Sequence, residues 1–361
     1  MKMQMSKTAK FFLYFFLIVV TLFTLLPLLY TISASVKTNS EIAKGGINLI
    51  PQWEANIWEK DTKSGSPIEG SLREGFTMND AGEVFDRNGK QVQYDKKGFI
   101  LDENGKWVKE TYWWPYNYKQ VWGMSGSTLD SKTNFADYTI NSLKVSALTV
   151  VITVLFTAMA AYCFQRGRFP GKQFFYVFFL ATMFIGAGTI TVFPILQITT
   201  ALSRLFSRFG FRNLTFNSWW GLAIVVGATG GASNLFLTMG YLKTIPKELD
   251  ESAKIDGCAF FTTWWKIILP LSIPILGTIA LMTFRGSWNN WMLPRLMLAS
   301  DQTATTLVVA IVNLANNGGS GASQYNLMMA GSMLSMAPML IMFLIMNETF
   351  VEGITQGSVK G

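Results

Sequence analysis

Side chains suited to catalysis are scarce in this sequence. It contains no histidine, and its two cysteines, Cys163 and Cys258, lie far apart, one in an apolar stretch and one in a charged loop. The lack of histidine removes the commonest general base and metal ligand, and two such cysteines offer neither a disulfide framework nor a thiolate cluster. No Gly-rich phosphate loop ending in Gly-Lys-Ser or Gly-Lys-Thr occurs. The sequence therefore predicts no catalytic residue, no metal site and no ATP hydrolysis by this chain.

Polar chemistry is concentrated instead in one short segment, residues 245–270. Pro246 suits the first turn of a helix, and acidic residues follow it where the helix dipole favours negative charge. Gly257 permits a sharp backbone reversal, after which a second short helix can begin. We therefore expect a helix-turn-helix at the cytoplasmic membrane surface. Its rigidity would let it pass on a conformational change as a body.

The spacing in this segment resembles the EAA loop of ATP-binding-cassette (ABC) importer permeases. That loop reads Glu-Ala-Ala, three residues, Gly, nine residues and Ile-x-Leu-Pro, and every spacing is kept here, with serine in place of the first alanine. The resemblance implies a loop that docks on a separate ATPase. It implies that Glu251 pairs with basic or polar ATPase groups, that Gly257 allows close backbone approach and that Asp256 caps the second helix. The matching residues are Glu251, Ser252, Ala253, Gly257, Ile267, Leu269 and Pro270.

Outside one insertion, nearly the whole chain resembles the carbohydrate-importer branch of these permeases, which includes the six-span maltose-transporter permease. Matching patches lie at residues 35–41, 117–118, 141–142, 168–172 and 288–290. The carboxyl end looks like that branch's terminal Gly-Leu-Thr-x-Gly-x-Val-Lys-Gly signature. This match implies a tail placed against the ATPase, with contacts from Gly357, Val359, Lys360 and Gly361.

The resemblance implies an all-α membrane protein with the type I ABC importer fold, in the plasma membrane of a prokaryote. The implied partners are a related second permease, two ATPase subunits and an extracellular solute-binding protein that delivers a carbohydrate. ATP and magnesium would be bound by the ATPase, and we expect no cofactor on this chain. The branch favours an oligosaccharide, while a polyol, a glycerol phosphate or an acidic saccharide remains open as the solute.

Polar and aromatic side chains inside apolar stretches are candidates for the solute pathway, because such groups are costly in lipid and usually face a bundle interior or a cavity. Amides can hydrogen-bond sugar hydroxyls, and aromatic faces can cover the apolar side of a ring. Two other roles stay open, namely bonding to a neighbouring helix and anchoring a helix end. The candidates are Thr189, Thr191, Ser233, Asn234, Arg285, Trp288, Asn289, Asn290, Ser332 and Ser335.

The elements that must position these residues are membrane helices. Half of the 361 residues are hydrophobic and only 14% are charged, a composition too apolar for an ordinary soluble enzyme. Stretches of roughly 18 or more apolar residues predict helices that cross a hydrocarbon core about 30 Å thick. A cleaved signal peptide is the alternative for the first stretch, which is longer than a usual signal core. The six predicted spans are residues 11–33, 143–164, 174–199, 219–241, 269–288 and 327–350.

Lysine and arginine collect in alternate loops, as expected for the cytoplasmic side of a membrane. Both termini are therefore predicted to be cytoplasmic, and the net charge of +8 reflects sidedness and not a nucleic-acid partner. The chain divides into residues 1–35 with the first span, an extracellular loop at 36–137, a five-helix core at 138–350 and a cytoplasmic tail at 351–361. The basic residues are Lys2, Lys7, Lys10, Arg166, Arg168, Lys172, Lys243, Lys247, Lys254 and Lys266.

The predicted extracellular loop contains an internal repeat. Residues 82–90 and 98–106 each read as a short strand followed by an Asn-Gly turn, the strongest local hairpin signal. We therefore expect a small β-rich insert over about residues 58–114. Its aromatic side chains suit stacking on sugars, a core of the insert or a membrane interface, and these alternatives stay open. They are Trp107, Tyr112, Trp113, Trp114, Tyr116 and Trp122.

Two other classes of protein remain as alternatives. An ion-coupled carrier would normally place carboxylates within its spans, whereas the one acid in the predicted spans is Glu348, near a cytoplasmic end. A membrane-anchored sensor would use the insert as its ligand domain, but it would leave the loop at residues 245–270 without a role. Co-purification of an ATPase separates both alternatives from an importer.

Overall fold

The structure, a computed structural model, divides the chain into two compact units. One comprises Met1–Met124 and Asn313–Leu334, and the other comprises Ser125–Val312 and Ser335–Gly361. The residues that the structure describes are 7–43, 45–46, 48–60, 67–73, 76–86, 89–111, 116–122, 134–184, 191–210, 218–229, 231–299, 304–316 and 324–358.

The first unit holds a long apolar helix followed by short strands. Its helices are α1 (Lys7–Ser35), α2 (Asn39–Ala43) and α3 (Tyr116–Trp122). Its strands are β1 (Gln52–Glu54), β2 (Trp58–Lys60), β3 (Pro67–Leu72), β4 (Thr77–Met78), β5 (Val84–Phe85), β6 (Gln91–Val92) and β7 (Lys109–Thr111). All pairings are antiparallel, in the sheets β1-β7, β2-β3 and β4-β5-β6.

The two repeats fold as turns closed by an aspartate, although only the first forms a ladder. The Asp86 carboxylate accepts from the amide of Lys90, and β5 pairs with β6 around this turn. In the second repeat, Leu101 and Trp107 form an isolated bridge. Trp107 also packs against the Phe99 ring, 5.2 Å between centroids, and is half exposed.

The strands begin before the predicted start of the insert. β1 pairs with β7, from Gln52 opposite Thr111 to Glu54 opposite Lys109. This ladder joins the two ends of the strand-containing segment. Local hairpin signals cannot reveal it, because its partners are far apart in sequence.

A buried asparagine joins three segments of the first unit. The side-chain amide of Asn117 donates to the carbonyls of Ser35 (2.9 Å) and Lys37 (2.7 Å), and its Oδ1 accepts from the amide of Asn326 (2.8 Å). The hydroxyls of Ser35 and Tyr118 lie 2.6 Å apart. The end of α1, α3 and the start of the last helix therefore meet at one buried polar cluster, where each group has a partner.

The second unit is a helical bundle built around α4. Its helices are α4 (Phe135–Arg166), α5 (Lys172–Phe184), α6 (Val192–Arg208), α7 (Trp219–Thr229), α8 (Gly231–Leu242), α9 (Glu248–Ile255), α10 (Phe260–Thr263), a π-helical turn (Trp264–Ile268), α11 (Leu269–Leu271), α12 (Ile273–Trp288) and α13 (Met292–Met297). Two further helices, α14 (Leu307–Asn316) and α15 (Tyr325–Ser358), cross the unit boundary.

Small residues let α4 and α7 approach closely. A Cβ atom at Gly227 would lie 3.0 Å from Cγ2 of Ile152, and the hydroxyl of Thr153 donates to the Gly227 carbonyl (3.4 Å). One turn earlier, Thr149 donates to the carbonyl of Ala223 (3.4 Å). Close backbone approach with hydroxyl bridges is the usual way that helices associate in membranes.

Long apolar helices match part of the predicted set of spans. Among the described residues, Lys10–Ser35, Phe135–Arg166 and Tyr325–Ile345 are long and apolar enough to cross a bilayer. Two bent helix pairs also qualify if each is one span, namely α7 with α8, and Phe260–Leu271 with Ile273–Trp288. The third predicted span, residues 174–199, runs over residues 185–190, which lie outside the described chain.

The fifth predicted span is not a straight helix over residues 269–288. The chain is helical from Phe260 and bends by 78° before α12. Ser272, at the bend, has backbone angles of −89° and 0°, and Pro274 stands in the first turn of α12. Because proline supplies no amide and crowds the preceding turn, a new helix starts there.

Candidate functional site

The polar segment between α8 and α12 folds as two short helices joined by a tight turn. α9 ends at its C-cap Asp256, and Gly257 follows with a φ of 77°. The amide of Cys258 donates to the carbonyl of Ala253 (2.8 Å), and that of Gly257 donates to the carbonyl of Lys254 (3.0 Å). This pair of bonds is the Schellman arrangement, which requires a left-handed residue directly after the helix. The two short helices and the turn match the prediction, and their place at the cytoplasmic membrane surface stays a prediction.

The structure corrects the role that the family resemblance implies for Asp256 and gives a separate reason for the glycine at position 257. Asp256 does not cap the second helix, because the Schellman turn occupies further residues and the N-cap of α10 is Ala259. A Cβ atom at Gly257 would meet nothing within 4 Å inside this chain. Glycine is therefore required here by its positive φ and not by packing within the chain.

The first part of the motif presents an exposed face. Glu251 and Ser252 are exposed, whereas Ala253 is buried. Ile255, at the end of the same helix, is 87% exposed. Glu251 and Ile255 are four residues apart, so an acidic and an apolar side chain are exposed on one face of α9.

The second part of the motif anchors the loop in the bundle. Trp264 and Ile268 are buried in a cluster with side chains of α4, α8 and α12, and Ile267 and Leu269 pack against that cluster. Pro270 lies in α11, directly after the π-helical turn. The second short helix and the turn after it are therefore fixed in the bundle.

Sequence reasoning missed the acid that ties the loop to α4. Asp250 is buried in α9, and its Oδ1 accepts a hydrogen bond from the hydroxyl of Tyr162 (2.7 Å). Its Oδ2 lies 2.9 Å from Nε of Arg166, an ion pair that is not aligned as a hydrogen bond. Arg166 also donates from Nη2 to the carbonyl of Ile245 (2.6 Å).

A signal for this cluster existed in the sequence. Asp250 stands three residues before Ala253, so the two share one face of α9, and both are buried. A carboxylate on a buried face needs a charged or hydrogen-bonding partner, because burying it alone is costly. A basic residue at position 166 is also expected from the cytoplasmic side of a membrane alone, so the sequence gives no separate sign that Arg166 pairs with Asp250.

Two of the predicted pathway residues join neighbouring helices. The amide of Asn234 in α8 lies 3.4 Å from Oγ1 of Thr283 in α12. Trp288 is buried, stacks on Phe284 and donates from Nε1 to the carbonyl of Ser335 in α15 (3.2 Å). The structure thus brings Trp288 to the backbone of Ser335, and both Asn234 and Trp288 bond to a neighbouring helix.

The other pathway candidates do not meet at one place. Ser233, Arg285 and Asn289 are exposed, and Asn289 is the C-cap of α12. The side chain of Asn290 accepts from the Leu293 amide (3.4 Å), and Ser332 donates to the carbonyl one turn back. Thr191 is the N-cap of α6, and Thr189 lies outside the described residues. A solute pathway through these residues stays a prediction.

The predicted carboxyl-terminal contacts fall largely outside the described chain. Gly357 lies in α15, which continues past the predicted end of the last span to Ser358. Val359, Lys360 and Gly361 lie beyond the described residues. Contact of this tail with an ATPase therefore stays a prediction.

Known proteins resemble this chain over most of its length. A family model for the binding-protein-dependent transport system inner membrane component matches residues 153–355. YurM of Bacillus subtilis (strain 168), a probable ABC transporter permease protein, is 31% identical over 71% of this chain and 77% of YurM. GanQ of the same organism, a galactooligosaccharides transport system permease protein, is 32% identical over 63% of this chain and 75% of GanQ.

A solved structure shares the fold. A bacterial ABC transporter involved in the import of the acidic polysaccharide alginate includes a chain that superposes with a TM-score of 0.60 at 18% identity. The match covers 96% of this chain and 99% of that one. Because the family model spans more than half of the sequence and YurM is matched over most of its length, this chain belongs to the family of binding-protein-dependent transport system inner membrane components.

Proposed function

We propose that this chain is the permease subunit of an ABC importer, that it forms half of the pathway for an oligosaccharide, and that α9 couples it to a separate ATPase. The observation that carries the proposal is the exposed face of Glu251 and Ile255 on a helix whose other face is buried at Ala253 and tied to α4 through Asp250. The choice of an oligosaccharide rests on the name of the relative GanQ. In this assignment the chain is a transport subunit and not an enzyme.

The proposed topology has six spans with both termini in the cytoplasm. The contact of Arg166 with Asp250 supports it, because it requires the end of α4 and the α9 loop to lie on one side. Toward the other end of α4, the hydroxyl of Ser142 accepts a hydrogen bond from the amide of Leu307 (2.8 Å). This contact supports placing residues 304–307 on the extracellular side of the membrane. The strands at residues 52–111 would then be extracellular, and residues 351–361 would be cytoplasmic.

The proposed assembly contains four further proteins. A related second permease would complete the pathway, and two ATPase subunits would hold ATP and magnesium. An extracellular solute-binding protein would deliver the solute, in keeping with the family's description. ATP-driven closure of the ATPases would displace α9 and turn the bundle outward, a rigid-body transition of a known kind.

The test is the ATPase activity of the purified complex in lipid, with the binding protein and a panel of neutral and acidic oligosaccharides. We expect solute-loaded binding protein to stimulate hydrolysis, and the stimulating sugar to identify the substrate. Gly257→Asp and Glu251→Lys should abolish the stimulation or detach the ATPase. Glu248→Lys, an equal charge change at an exposed position on the same helix, is the matched control.

Two results would contradict the proposal. One is that no ATPase co-purifies with the wild-type chain, which would favour an ion-coupled carrier or a sensor. The other is that Glu251→Lys and Glu248→Lys behave alike, which would remove the docking role of the motif face. If only an acidic saccharide stimulates hydrolysis, the importer function stands and the solute is an acidic saccharide instead of a neutral sugar.

A further inference from the structure

The last turn of α4 contacts three parts of the segment that runs from the end of α8 to α10. The hydroxyl of Tyr162 donates to Asp250 in α9, and the ring of Tyr162 packs on Phe260 in α10, with centroids 4.5 Å apart. Arg166 pairs with the same aspartate and also donates to the carbonyl of Ile245, where the chain leaves α8. Both short helices and the segment before them thus contact one turn of α4.

The geometry of these contacts opposes rotation of the loop against α4. Tyr162 and Arg166 are four residues apart and therefore project from the same face of the helix. The two oxygens of Asp250 face different partners, since one accepts a hydrogen bond from the hydroxyl of Tyr162 and the other forms an ion pair with the guanidinium of Arg166. Because the three side chains are largely buried, water competes poorly for these contacts. A single contact would allow rotation about it, whereas these four contacts, made to three segments, fix an orientation.

Beyond this turn, α4 contacts several other helices of its unit. Thr149 and Thr153 donate to carbonyls of α7, and Ser142 accepts the amide of Leu307 at the start of α14. α8 and α12 also pack along α4. A displacement of its last turn is therefore passed to a helix that most of the bundle contacts.

We infer that Tyr162, Asp250 and Arg166 form a transmission clamp that passes movement of α9 to α4. The inference rests on the proposed coupling function, and it assigns the three side chains a positioning role that acts through the helices. Loss of the clamp leaves the exposed docking face of α9 in place. The ATPase then still binds and hydrolyses ATP, but less of its work reaches the pathway.

The experiment measures solute transported per ATP hydrolysed by the complete complex in proteoliposomes. Tyr162→Phe removes one hydrogen bond and keeps the ring on Phe260. Asp250→Asn keeps the shape of the acid and removes its charge. We expect either change to lower transport per ATP about tenfold, a typical coupling between sites, with the ATPase still bound. Tyr176→Phe is the matched control, since Tyr176 is a half-buried tyrosine whose ring packs on Phe164.

A double variant separates transmission from simple stability. Arg166→Gln together with Asp250→Asn leaves no unpaired charge, so thermal stability should return toward wild type. If the clamp transmits movement, transport per ATP should stay low in this double variant. If transport per ATP returns with stability, or if Tyr162→Phe transports as well as Tyr176→Phe, the inference is overturned.

The outcome distinguishes this inference from the proposed function. If the wild-type chain retains no ATPase, the coupling function fails and the clamp with it. If the ATPase is retained and Glu251→Lys impairs stimulation while all clamp variants couple normally, the docking function stands and only the clamp is rejected.

Discussion

At the scale of single residues, α9 and the turn after it show how four nearby positions can have different constraints. Asp250 faces the bundle and needs charged partners, whereas Glu251 faces outward. Ala253 is buried, where a small side chain permits close packing. Gly257 is constrained by its φ of 77° and not by its neighbours. Glu251 and Gly257 are exposed, as is Ile255 at the end of α9, whereas Asp250 and Ala253 are not.

We predict that Ile255→Ala weakens binding of the ATPase by about 1–3 kcal/mol, because a large apolar side chain that a partner covers is a frequent hot spot. The stability of the permease itself should change by less than about 0.5 kcal/mol, since the side chain is exposed in the free chain. Titration of the reconstituted permease with ATPase measures the first quantity, and thermal unfolding measures the second.

The control for this variant is Ile140→Ala. Ile140 is 47% exposed and lies near the opposite end of α4, so it removes the same atoms away from the proposed docking face. Equal ATPase affinity in the two variants would show that Ile255 is not covered by the partner.

At the scale of elements, the bundle depends on close contact between α4 and α7. The Thr149 and Thr153 hydroxyls bond to carbonyls of α7, which requires the two backbones to be near each other. Gly227 permits this distance, because a Cβ there would press on the side chain of Ile152. Such packing is a leading source of helix association in lipid, where the hydrophobic effect between spans is weak.

We predict that Gly227→Ala destabilises the bundle by about 1–3 kcal/mol, the usual cost of overpacking. In an Ile152→Ala background the same change should cost less, because the nearest contact atom, Cγ2, is gone. A double-mutant cycle on the unfolding of the complex measures this interaction energy. Gly240→Ala, at a helical glycine with no atom within 4 Å of a Cβ, is the control and should be close to neutral.

Additive costs for Gly227→Ala and Ile152→Ala would contradict this account of the contact. So would an equal cost for Gly227→Ala and Gly240→Ala, since the two glycines differ in their surroundings and not in their helical setting.

At the scale of the whole molecule, the strands lie between two paired ends, β1 and β7. The β1-β7 ladder brings Glu54 opposite Lys109, so residues 55–108 leave and return at neighbouring positions. The β1-β7 ladder has the geometry of a hairpin whose loop is residues 55–108. Such an arrangement permits removal of the intervening residues without moving α1 or α3.

We predict that replacing residues 55–108 with Asn-Gly yields a permease that still assembles with its ATPase. A two-residue Asn-Gly turn suits a hairpin closed by Glu54 and Lys109. The affinity of the complex for the solute-binding protein should fall, because we expect the insertion to enlarge that docking surface. Binding-protein titration of ATPase stimulation measures this change. Unchanged affinity together with unchanged transport would reject a role for the insertion in docking.

Much of the candidate site follows from sequence alone. Pro246 and the acidic residues after it indicate the first short helix, and Gly257 indicates the reversal, because a left-handed backbone after a helix favours glycine over other residues. Long apolar runs likewise indicate α1, α4 and α15, since a span needs a minimum apolar length. These are local properties, and each can be read from neighbouring residues.

Tertiary structure decided what depends on contacts between distant segments. The pairing of Asp250 with Tyr162 and Arg166, the β1-β7 ladder and the cluster around Asn117 each join residues far apart in the chain. The folded backbone also decided that Asp256 is the C-cap of α9 and that the chain bends before α12. Composition and spacing state which side chains a segment carries, but the partner of a buried polar group is fixed only when the chain has folded around it.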